Sequence, residues 1–346
     1  MSETNQRYDV VVIGGGAAGL SGALALSRAR RSVLVIDAGS PRNAPASHAH
    51  NYLGREGVPP LELLAIGRAE AADYGAEIVQ GSVVSAERLS DGFRVLREDG
   101  SAVHARRLLV TTGIVDELPA VEGLAERWGS EVLHCPYCHG WEVRDRPVGI
   151  LASSPMAVHH ALLWRQWTDD VTLFRNDQPD FSDEEYEQFA ARGISVVDGE
   201  VAAVEVADGR LTGVRLAGGT LIPREALVVQ PRFTARSEVL ESLGLRPTEM
   251  EMGGQVIGTY IAADPAGATD VPGVWVAGNV ANLMEQVVGA AAAGLKAASA
   301  INMDLVTEDT RRAVDARRAP FSAEAERQVT ERVLGDRRHG LQETSR

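Results

Sequence analysis

Short apolar runs alternate with a segment of helical period near the start of the chain. Asp9–Ile13 is an apolar run typical of a buried strand, and Leu20–Ala29 repeats its apolar positions at the spacing of a helix. Ser32–Ile36 is a second apolar run, and Asp37 closes it. The pattern predicts a complete β-α-β unit of about 30 residues.

The turn between the first strand and the helix is rich in glycine. It reads GGGAAG over 14–19 and contains the G-x-G-x-x-G pattern. We expect Gly14 to permit a tight turn, Gly16 to let the backbone approach a pyrophosphate, and Gly19 to let the helix pack closely on the strand. The helix start offers free N–H groups to the phosphates, and Asp37 stands where an acid accepts from a ribose hydroxyl. A glycine turn that binds nothing is the alternative, which the complete unit disfavours.

A second strand–helix–strand pattern follows later in the chain. Val148–Leu151 predicts a strand, Pro155–Trp167 a helix, and Val171–Phe174 another strand. The turn after the first of these strands reads ASSPMA over 152–157 and contains no glycine. The segment therefore has the form of a dinucleotide-binding unit without its glycines.

Two further strand-then-glycine turns flank the second unit, at Leu108–Gly113 and Val274–Asn279. Their positions predict an α/β fold of two Rossmann-like, dinucleotide-binding-type domains, in which the second domain is inserted into the first. A small-residue helix over Gly289–Ala300 can pack closely on a sheet. The predicted parts are 1–118 and 246–310 for the first domain, 119–245 for the insert that carries both cysteines, and 311–346 for a charged C-terminal extension with a peripheral helix and a frayed end.

Composition narrows the class of protein. The 346 residues are 45% hydrophobic, which suits a packed core, and the 34 Lys and Arg against 48 Asp and Glu give a net charge of −14. Such a chain has no broad positive field for nucleic acid or an anionic membrane, so neither is an expected partner. No apolar run is long enough for a transmembrane helix. The polar start lacks the pattern of a signal peptide, and we expect a cytoplasmic protein.

The sequence contains two cysteines, Cys135 and Cys138, in a C-x-x-C pair. Such a pair indicates redox chemistry, a structural disulfide or half of a zinc site. A disulfide across two residues closes too small a loop to stabilise much. Zinc needs two further ligands, and His134 and His139 directly adjoin the cysteines, which makes one tetrahedron awkward. Redox function without a metal is therefore favoured.

Taken together, these motifs resemble the low-molecular-weight thioredoxin reductases over residues 7 to 305. The segments that carry the resemblance are GGGAAG with Asp37, HNYLG at 50–54, LLVTTG at 108–113, CPYCHG at 135–140 and GVWVAGNV at 273–280. The resemblance implies an FAD domain split by an NADPH-type domain that carries the C-x-x-C pair, and a homodimer.

The resemblance also implies which residues contact FAD. The residues implied to bind the pyrophosphate and the adenosine ribose are Gly14, Gly15, Gly16, Ala17, Ala18, Gly19 and Asp37. Asn51 falls near the flavin ring, and further contacts are implied at Arg42, His50, Val84, Thr112 and Gly113. Gly278 and Asn279 face the ribityl and phosphate, and Gln286 and Val287 offer backbone N–H groups to the flavin edge. Asn279 departs from the family, which usually has aspartate there, but an amide still hydrogen-bonds a hydroxyl.

The inserted domain departs from the family at two places in one site. Side chains at 152–154 replace a glycine turn, so we expect them to crowd a pyrophosphate, and Pro155 removes one N–H from the helix start. The family's paired arginines for a 2′-phosphate are replaced by FRND at 174–177. Together these changes argue against NADPH binding, with weak residual binding as the alternative.

His139 follows the second cysteine where the reductases usually have aspartate. The C-P-x-C-H form beside a degraded NADPH site is similar to the dithiol oxidases of the gliotoxin and holomycin type. This resemblance implies that Cys135 faces the substrate, that Cys138 faces the flavin and that a small-molecule dithiol is oxidised to a disulfide with O2 as the acceptor. An imidazole titrates near neutrality, so His139 suits a proton carrier.

Two other functions stay open at this point. One is a thioredoxin-type disulfide reductase fed by NADPH or another donor, and the other is a non-catalytic flavin-bound sensor. Of the remaining histidines, His134 and the pair His159–His160 are interpreted as solvated or structural groups. Tyr52, Tyr137 and Trp141 either line a substrate pocket or belong to the core.

Overall fold

The computed structural model describes residues 7–154, 156–318 and 323–334. The chain divides into two compact units, Met1–Ser299 and Ala300–Arg346. Pro155 of the predicted second helix, and residues 319–322 and 335–346 of the predicted extension, lie outside the described residues. No helix of the described part is long and apolar enough to cross a membrane.

The described strands all lie in the first unit. In chain order they are β1 Arg7–Ile13, β2 Val33–Asp37, β3 Glu77–Gln80, β4 Val83–Leu89, β5 Gly92–Arg97, β6 Ala102–Val110, β7 Ile114–Glu117, β8 Val132–Leu133, β9 Val148–Leu151, β10 Val171–Asn176, β11 Ser195–Asp198, β12 Val201–Ala207, β13 Arg210–Leu216, β14 Leu221–Pro223, β15 Ala226–Val228, β16 Arg232–Ala235, β17 Thr248–Met252, β18 Gln255–Tyr260 and β19 Val274–Val276.

Helices connect several of these strands. They are α1 Ala17–Arg28, α2 Pro60–Asp73, α3 Pro136–His139, α4 Met156–Trp164, α5 Asp183–Ala191, α6 Glu238–Glu241, α7 Val287–Arg318 and α8 Ala323–Leu334, with a 3₁₀ turn at Ala125–Arg127. The helix predicted over Gly289–Ala300 is thus longer than expected, because α7 continues through a charged, exposed segment into the predicted extension. α8 is largely exposed.

The predicted first β-α-β unit forms the centre of the large sheet, whose order is β3-β2-β1-β6-β5-β4 with β19 on the other side of β6. β1 pairs in parallel with β2 and β6, and β19 pairs in parallel with β6. β1 is buried on both faces, as the continuous apolar run predicts, and Val10, Val11 and Val12 are fully buried. Burial of each such side chain contributes about 1.5–3 kcal/mol.

The second predicted unit lies in the insert sheet, whose order is β11-β10-β9-β15-β8. β9 and β10 are parallel, with Val148 opposite Val171. β7 and β16, the strands before and after the insert, pair antiparallel in a separate four-stranded sheet of order β17-β18-β16-β7, with Phe233 opposite Asp116. The chain returns to the large sheet at β19. The predicted α/β class is confirmed, whereas the predicted domain boundaries at 118, 245 and 310 stay predictions.

Candidate active site

The carboxyl ends of β1, β6 and β19 meet at one edge of the large sheet. Backbone hydrogen bonds from Thr111 N–H to Ile13 and from Ala277 N–H to Val110 join these ends, and Gly14 N–H binds Ile36 of the neighbouring β2. Ligands of open α/β sheets bind at this edge. A cleft of about 870 Å³ opens here, within the first unit. Among the predicted site residues, it is lined by Gly14, Gly15, Gly16, Ala17, Ala18, Asp37, Arg42, His50, Thr112, Gly113, Cys135, Cys138, His139, Gly278, Asn279, Gln286 and Val287.

The glycine turn has the geometry expected of it. Gly14 has a φ of +104°, and a Cβ there would stand 2.6 Å from the carbonyl oxygen of Thr111. A Cβ on Gly19 would collide with the carbonyl oxygen of Gly14, so only glycine lets α1 approach β1 this closely. Gly16 differs, because a Cβ there would meet no protein atom within 4 Å. Its position faces open space in the cleft.

Asp37 ends β2 and anchors the turn from the other side. Its carboxylate accepts the N–H of Gly15 at 3.1 Å and pairs with the guanidinium of Arg68 at 3.0 Å. A Cβ on Gly15 would lie 2.8 Å from the Asp37 side chain, so Gly15 is required for this close approach. Asp37 therefore positions the turn in addition to facing the cleft, a role that the sequence did not reveal.

Asn279 organises the loop before α7. Its side-chain amide donates to the carbonyl oxygens of Leu283 and Glu285, at 3.1 and 3.0 Å, and lies 3.3 Å from that of Asn282. An aspartate has no N–H to donate, which gives a physical reason for the amide at this position. Gly278 has a φ of +76° and leads into this loop. The same loop delivers Gln286 and Val287 to the start of α7 at the cleft.

Arg42 lies in the cleft wall and is paired rather than free. Its guanidinium makes two hydrogen bonds of 2.7 Å to the carboxylate of Asp116, which is buried, and it stacks 5.2 Å from the centre of the Phe233 ring. Thr112 donates its hydroxyl to the carbonyl oxygen of Arg236 at 2.6 Å. These contacts join the strand pair β7–β16 to the cleft.

Cys135 and Cys138 form a disulfide with Cα atoms 5.3 Å apart. Cys135 is the N-cap of the short helix α3, and its carbonyl oxygen accepts the N–H groups of Cys138 and His139 at 3.2 Å each. Proline at the first position of α3 suits a helix start because its missing N–H has no partner there. Both sulfur-bearing residues line the cleft that the glycine turn enters.

His139 and His50 flank the disulfide. Burial lowers the pKa of His139, the Glu142 carboxylate raises it, and His50 lowers it. The imidazole of His50 lies between two carboxylates, with Nδ1 at 2.6 Å from Glu56 and Nε2 at 3.3 Å from Glu142. A depressed pKa keeps the His139 imidazole neutral at neutral pH, so it can accept a proton from a thiol.

Three predicted cofactor contacts lie outside the lining of the cleft. Gly19 packs against Gly14 instead. Val84 is on β4 with an exposed side chain, while its neighbour Val83 lines the cleft. Asn51 has a φ of +61° and donates its side-chain amide to the carbonyl oxygen of Tyr137 at 2.7 Å.

Of the two interpretations of His134 and His160, solvated or structural, the structure supports the structural one, because both side chains are largely buried. Both line the cleft, and their rings meet edge to face at 5.6 Å. Burial lowers the pKa of each to about 4. The signal for His160 was available in the sequence, because Ala157, His160, Ala161 and Trp164 share the buried face of α4 at helical spacing. His134 lies in a loop after β8, where no periodic pattern applies.

The turn of the second β-α-β unit differs from the glycine turn. The Ser154 hydroxyl accepts the N–H of Met156 at 3.2 Å, and Ser153 donates to the carbonyl oxygen of Gln230 at 3.3 Å. Ser154 thus occupies an N–H group at the start of α4, where a pyrophosphate would bind. The prediction that Ala152 crowds the turn was wrong, because its methyl group is buried in the core of the insert sheet.

Arg175 stands at the end of β10, in the FRND segment. Its guanidinium binds the carboxylate of Asp198 at 2.6 Å and the carbonyl oxygen of Gln178 at 2.9 Å, and Asp180 lies 3.8 Å away. Asn176 has a φ of +56° and accepts the N–H of Val201. The one arginine of the FRND segment is therefore already paired with carboxylates, which would also repel a phosphate.

The cleft fits FAD. Open space above Gly16, together with a helix α1 that no side chain caps, leaves N–H groups available to a pyrophosphate. The Asp37 carboxylate suits hydrogen bonding to a ribose hydroxyl of the cofactor. The loop organised by Asn279 places Gln286 and Val287 in the lining of the cleft at the start of α7. The residues that would hold FAD are Gly14, Gly15, Gly16, Ala17, Ala18, Asp37, Thr112, Gly113, Gly278, Asn279, Gln286 and Val287.

Known proteins share this arrangement. Residues 8–294 match the family described as pyridine nucleotide-disulphide oxidoreductase. The chain is 30% identical over 316 residues to thioredoxin reductase tcpT of Claviceps purpurea, covering 88% of this chain and 96% of tcpT. It is also 30% identical over 325 residues to thioredoxin reductase sirT of Leptosphaeria maculans, covering 87% of this chain and 95% of sirT.

A solved structure extends the likeness to three dimensions. The crystal structure of HlmI superposes with a TM-score of 0.84 at 45% identity, covering 93% of this chain and 99% of that chain. The predicted thioredoxin reductase-like architecture is thereby confirmed. The chain belongs to the pyridine nucleotide-disulphide oxidoreductase family, as a thioredoxin reductase-like flavin oxidoreductase whose cofactor is FAD.

Proposed function

We propose that the protein is a dithiol oxidase that closes an intramolecular disulfide in a small molecule, with O2 as the electron acceptor and H2O2 as its product. One observation carries this proposal: the Cys135–Cys138 disulfide lines the FAD cleft, whereas the start of α4 is capped by Ser154 and Arg175 is paired with Asp198. Electrons can therefore enter from a thiol substrate more readily than from NADPH. The C-P-x-C-H form, in which the sequence resembles the dithiol oxidases, supports the same interpretation.

Thiol–disulfide exchange accounts for the first half of the reaction. One substrate thiolate attacks the Sγ of Cys135, a mixed disulfide forms, and Cys138 leaves as a thiolate. The second substrate thiolate then attacks the substrate sulfur of that mixed disulfide, the ring disulfide forms, and Cys135 leaves. Two electrons have moved from the substrate to the cysteine pair. The second exchange is effectively intramolecular, because both substrate thiols belong to one bound molecule.

His139 is the residue that transfers protons between the substrate thiols and the cysteine pair in this proposal. Its neutral imidazole can take a proton from a substrate thiol as that thiol attacks and return it to a departing cysteine thiolate. Glu142 stabilises the imidazolium formed in between. FAD, when bound, supplies the capacity to take the two electrons from the cysteine pair and deliver them to O2.

The names of tcpT and sirT favour a second candidate, a thioredoxin-disulfide reductase that uses NADPH or another electron donor. The same cysteine pair and cleft suit that reaction in the opposite direction. The two candidates differ in where electrons enter, and this difference can be measured directly. We also propose that the protein is a homodimer, that it is cytoplasmic and that its domains have the predicted boundaries.

The test is anaerobic reduction of the purified, full-length yellow protein. Dithiothreitol, which closes a six-membered ring disulfide, is the dithiol probe, and NADPH is mixed separately. We expect dithiothreitol to bleach the flavin absorbance and admitted air to restore it with one H2O2 per dithiol oxidised. Prompt bleaching by NADPH would refute the oxidase proposal in favour of the reductase. A flavin that neither dithiothreitol nor NADPH reduces would refute both candidate functions.

Variants of the cysteine pair locate the chemistry. Cys138→Ser and Cys135→Ser remove the exchangeable disulfide, so we expect each to lower turnover with dithiothreitol at least a hundredfold while FAD stays bound. Ser130→Ala removes an exposed hydroxyl outside the cleft lining and is the matched control. Normal turnover by Cys138→Ser would contradict the exchange mechanism.

A further inference from the structure

The loop from His50 to Gly57 is closed at its base and reaches the C-x-x-C segment. Its ends meet where Ala49 N–H binds the carbonyl oxygen of Val58 and Gly57 N–H binds that of Ala49, at 2.9 and 3.0 Å. At the tip the side chain of Leu53 is almost fully exposed. The base of the loop is therefore fixed, whereas its tip is not packed against apolar side chains. Because of this, the position of the loop depends on its polar contacts.

Glu56 sets the geometry of this loop with both carboxylate oxygens. One oxygen lies 2.6 Å from Nδ1 of His50, and the other accepts the backbone N–H of Asn51 at 2.8 Å. Asn51 has a φ of +61°, a conformation that asparagine tolerates better than most residues. One side chain thus holds two consecutive residues in a defined orientation.

Both residues held by Glu56 then reach across to the segment that carries the disulfide. The Asn51 side-chain amide donates to the carbonyl oxygen of Tyr137 at 2.7 Å, and Nε2 of His50 lies 3.3 Å from Glu142. Tyr137 and Glu142 stand on either side of Cys138 and His139. The loop is therefore linked to α3 and to the turn that follows it.

The carbonyl that Asn51 binds is one that the short helix α3 leaves free. Within the described residues, the Tyr137 carbonyl oxygen has no backbone N–H partner, because α3 ends at His139 before a further turn can form. The Tyr137 carbonyl and the Cys138 nitrogen belong to the same planar peptide group. A hydrogen bond at that oxygen therefore fixes the orientation of the peptide that carries Cys138.

We propose that Asn51 is a positioning residue for Cys138, mounted on Glu56, and that its side chain is not an FAD ligand. Asn51 is absent from the lining of the cleft, and its amide is already engaged with Tyr137. In this arrangement Glu56, Asn51 and the Tyr137–Cys138 peptide hold the disulfide against the FAD cleft. The effect on turnover rests on the proposed dithiol oxidation, whereas the effect on α3 does not.

Two substitutions separate the amide from the backbone conformation. Asn51→Gly keeps the positive φ without strain and removes the amide, while Asn51→Asp keeps the size and sets an acceptor against the Tyr137 carbonyl. Asp208→Gly is the matched control, since Asp208 also has a positive φ of +51° but follows β12 in a hairpin. Hydrogen–deuterium exchange, FAD affinity and dithiothreitol turnover are measured on the full-length flavoprotein.

For both Asn51 variants we expect amide exchange in the 136–140 segment to accelerate roughly five- to tenfold, as for loss of one hydrogen bond. The FAD dissociation constant should stay within about twofold, and kcat for dithiothreitol should fall with KM little changed. Glu56→Ala should accelerate the same exchange, and Glu56→Gln should restore most of the protection, because its amide oxygen still accepts the Asn51 N–H.

Two outcomes would overturn the proposal. One is a weakening of FAD binding by tenfold or more in Asn51→Gly, which would make Asn51 a cofactor ligand. The other is unchanged exchange of the 136–140 segment in both Asn51 variants. If the wild-type flavoprotein does not oxidise dithiothreitol, the proposed function fails while the exchange result still decides the role of Asn51.

Discussion

Asn279 donates its side-chain amide to the backbone carbonyl oxygen of Glu285 over 3.0 Å. The amide has two hydrogens and three carbonyl oxygens within 3.3 Å, so one hydrogen is shared between acceptors. The loop between β19 and α7 is therefore folded around one side chain. Because Gln286 and Val287 follow this loop, Asn279 determines where the start of α7 meets the cleft.

Replacement of this amide by a carboxylate should be costly. Asn279→Asp keeps the size of the side chain but sets a negative charge against three carbonyl oxygens. We expect a loss of about 1–3 kcal/mol in the free energy of unfolding and roughly tenfold weaker FAD binding, measured by urea titration and by cofactor release. Asn282→Asp, at an exposed position in the same loop, loses only a solvent-exposed hydrogen bond to Glu285, so we expect it to cost at most about 1 kcal/mol and to leave FAD binding unchanged. Equal effects of the two variants would contradict the assigned role of Asn279.

The second and third glycines of the fingerprint, Gly16 and Gly19, should respond differently to one added methyl group. Gly19→Ala puts that group against the Gly14 backbone, so we expect FAD-free protein to lose about 3 kcal/mol of stability, as for overpacking. Gly16→Ala puts it in open space, so the FAD-free protein should unfold as the wild type does. Its FAD affinity should nevertheless fall at least tenfold, because the methyl group occupies the pyrophosphate position. Wild-type FAD affinity in Gly16→Ala would show that the cofactor does not cross this turn.

Local patterns were enough to predict the two β-α-β units and the disulfide. β1, α1 and β2 form within about 30 residues, so the apolar period and the glycine spacing contain nearly all the information they need. The C-x-x-C pair is equally local, because α3 brings Cys135 and Cys138 together by itself. The parallel pairing of β1 with β2 followed from the same β-α-β pattern, whereas the antiparallel pairing of β4, β5 and β6 was not predicted.

Contacts between distant segments were not predictable from the sequence. Asn51 and Tyr137 are 86 positions apart, and Arg42 and Asp116 are 74 apart, so no spacing rule connects them. The resemblance assigned Asn51 and Arg42 to the cofactor by position, whereas the structure shows both with protein partners. Burial of His134 likewise depends on packing of its loop beside α4. These relationships arise only when segments distant in sequence are packed together in the folded chain.

The pair Arg42–Asp116 should contribute far more to stability than an exposed ion pair. Asp116→Asn leaves the Arg42 guanidinium without its counter-ion in a partly buried site, and we expect a loss of about 2 kcal/mol or more in urea unfolding. Asp91→Asn is the matched control, because Arg7 and Asp91 are about half exposed and such pairs contribute at most about 1 kcal/mol. Similar losses in the two variants would show that the Arg42 site is effectively solvated.

The buried histidines should make the protein sensitive to mild acid. Burial lowers the pKa of His160 from 6.5 to about 4, and the neighbouring His134 and His159 add to this effect. Burial lowers that of His134 to about 4 as well, where Arg42 lowers it further and Asp116 and the Val229 carbonyl oppose the shift. Each ring is thus neutral in the folded protein at pH values where the unfolded chain binds a proton.

The sign of the pH dependence follows from these values. A folded pKa below the unfolded one gives stability that is complete above pH 6.5 and is lost as the pH falls toward 4. Between pH 7 and pH 5 we expect His160 alone to contribute a loss on the order of 2 kcal/mol. His160→Phe, which cannot bind a proton at this position, should therefore reduce the loss of urea-unfolding free energy across that range by about that amount, while His134 still contributes its own share. His104→Gln removes one imidazole from β6 and is the comparison for loss of a histidine as such. If wild type and His160→Phe lose stability in parallel from pH 7 to pH 5, the His160 site must admit water, and the burial argued for this end of the cleft is incorrect.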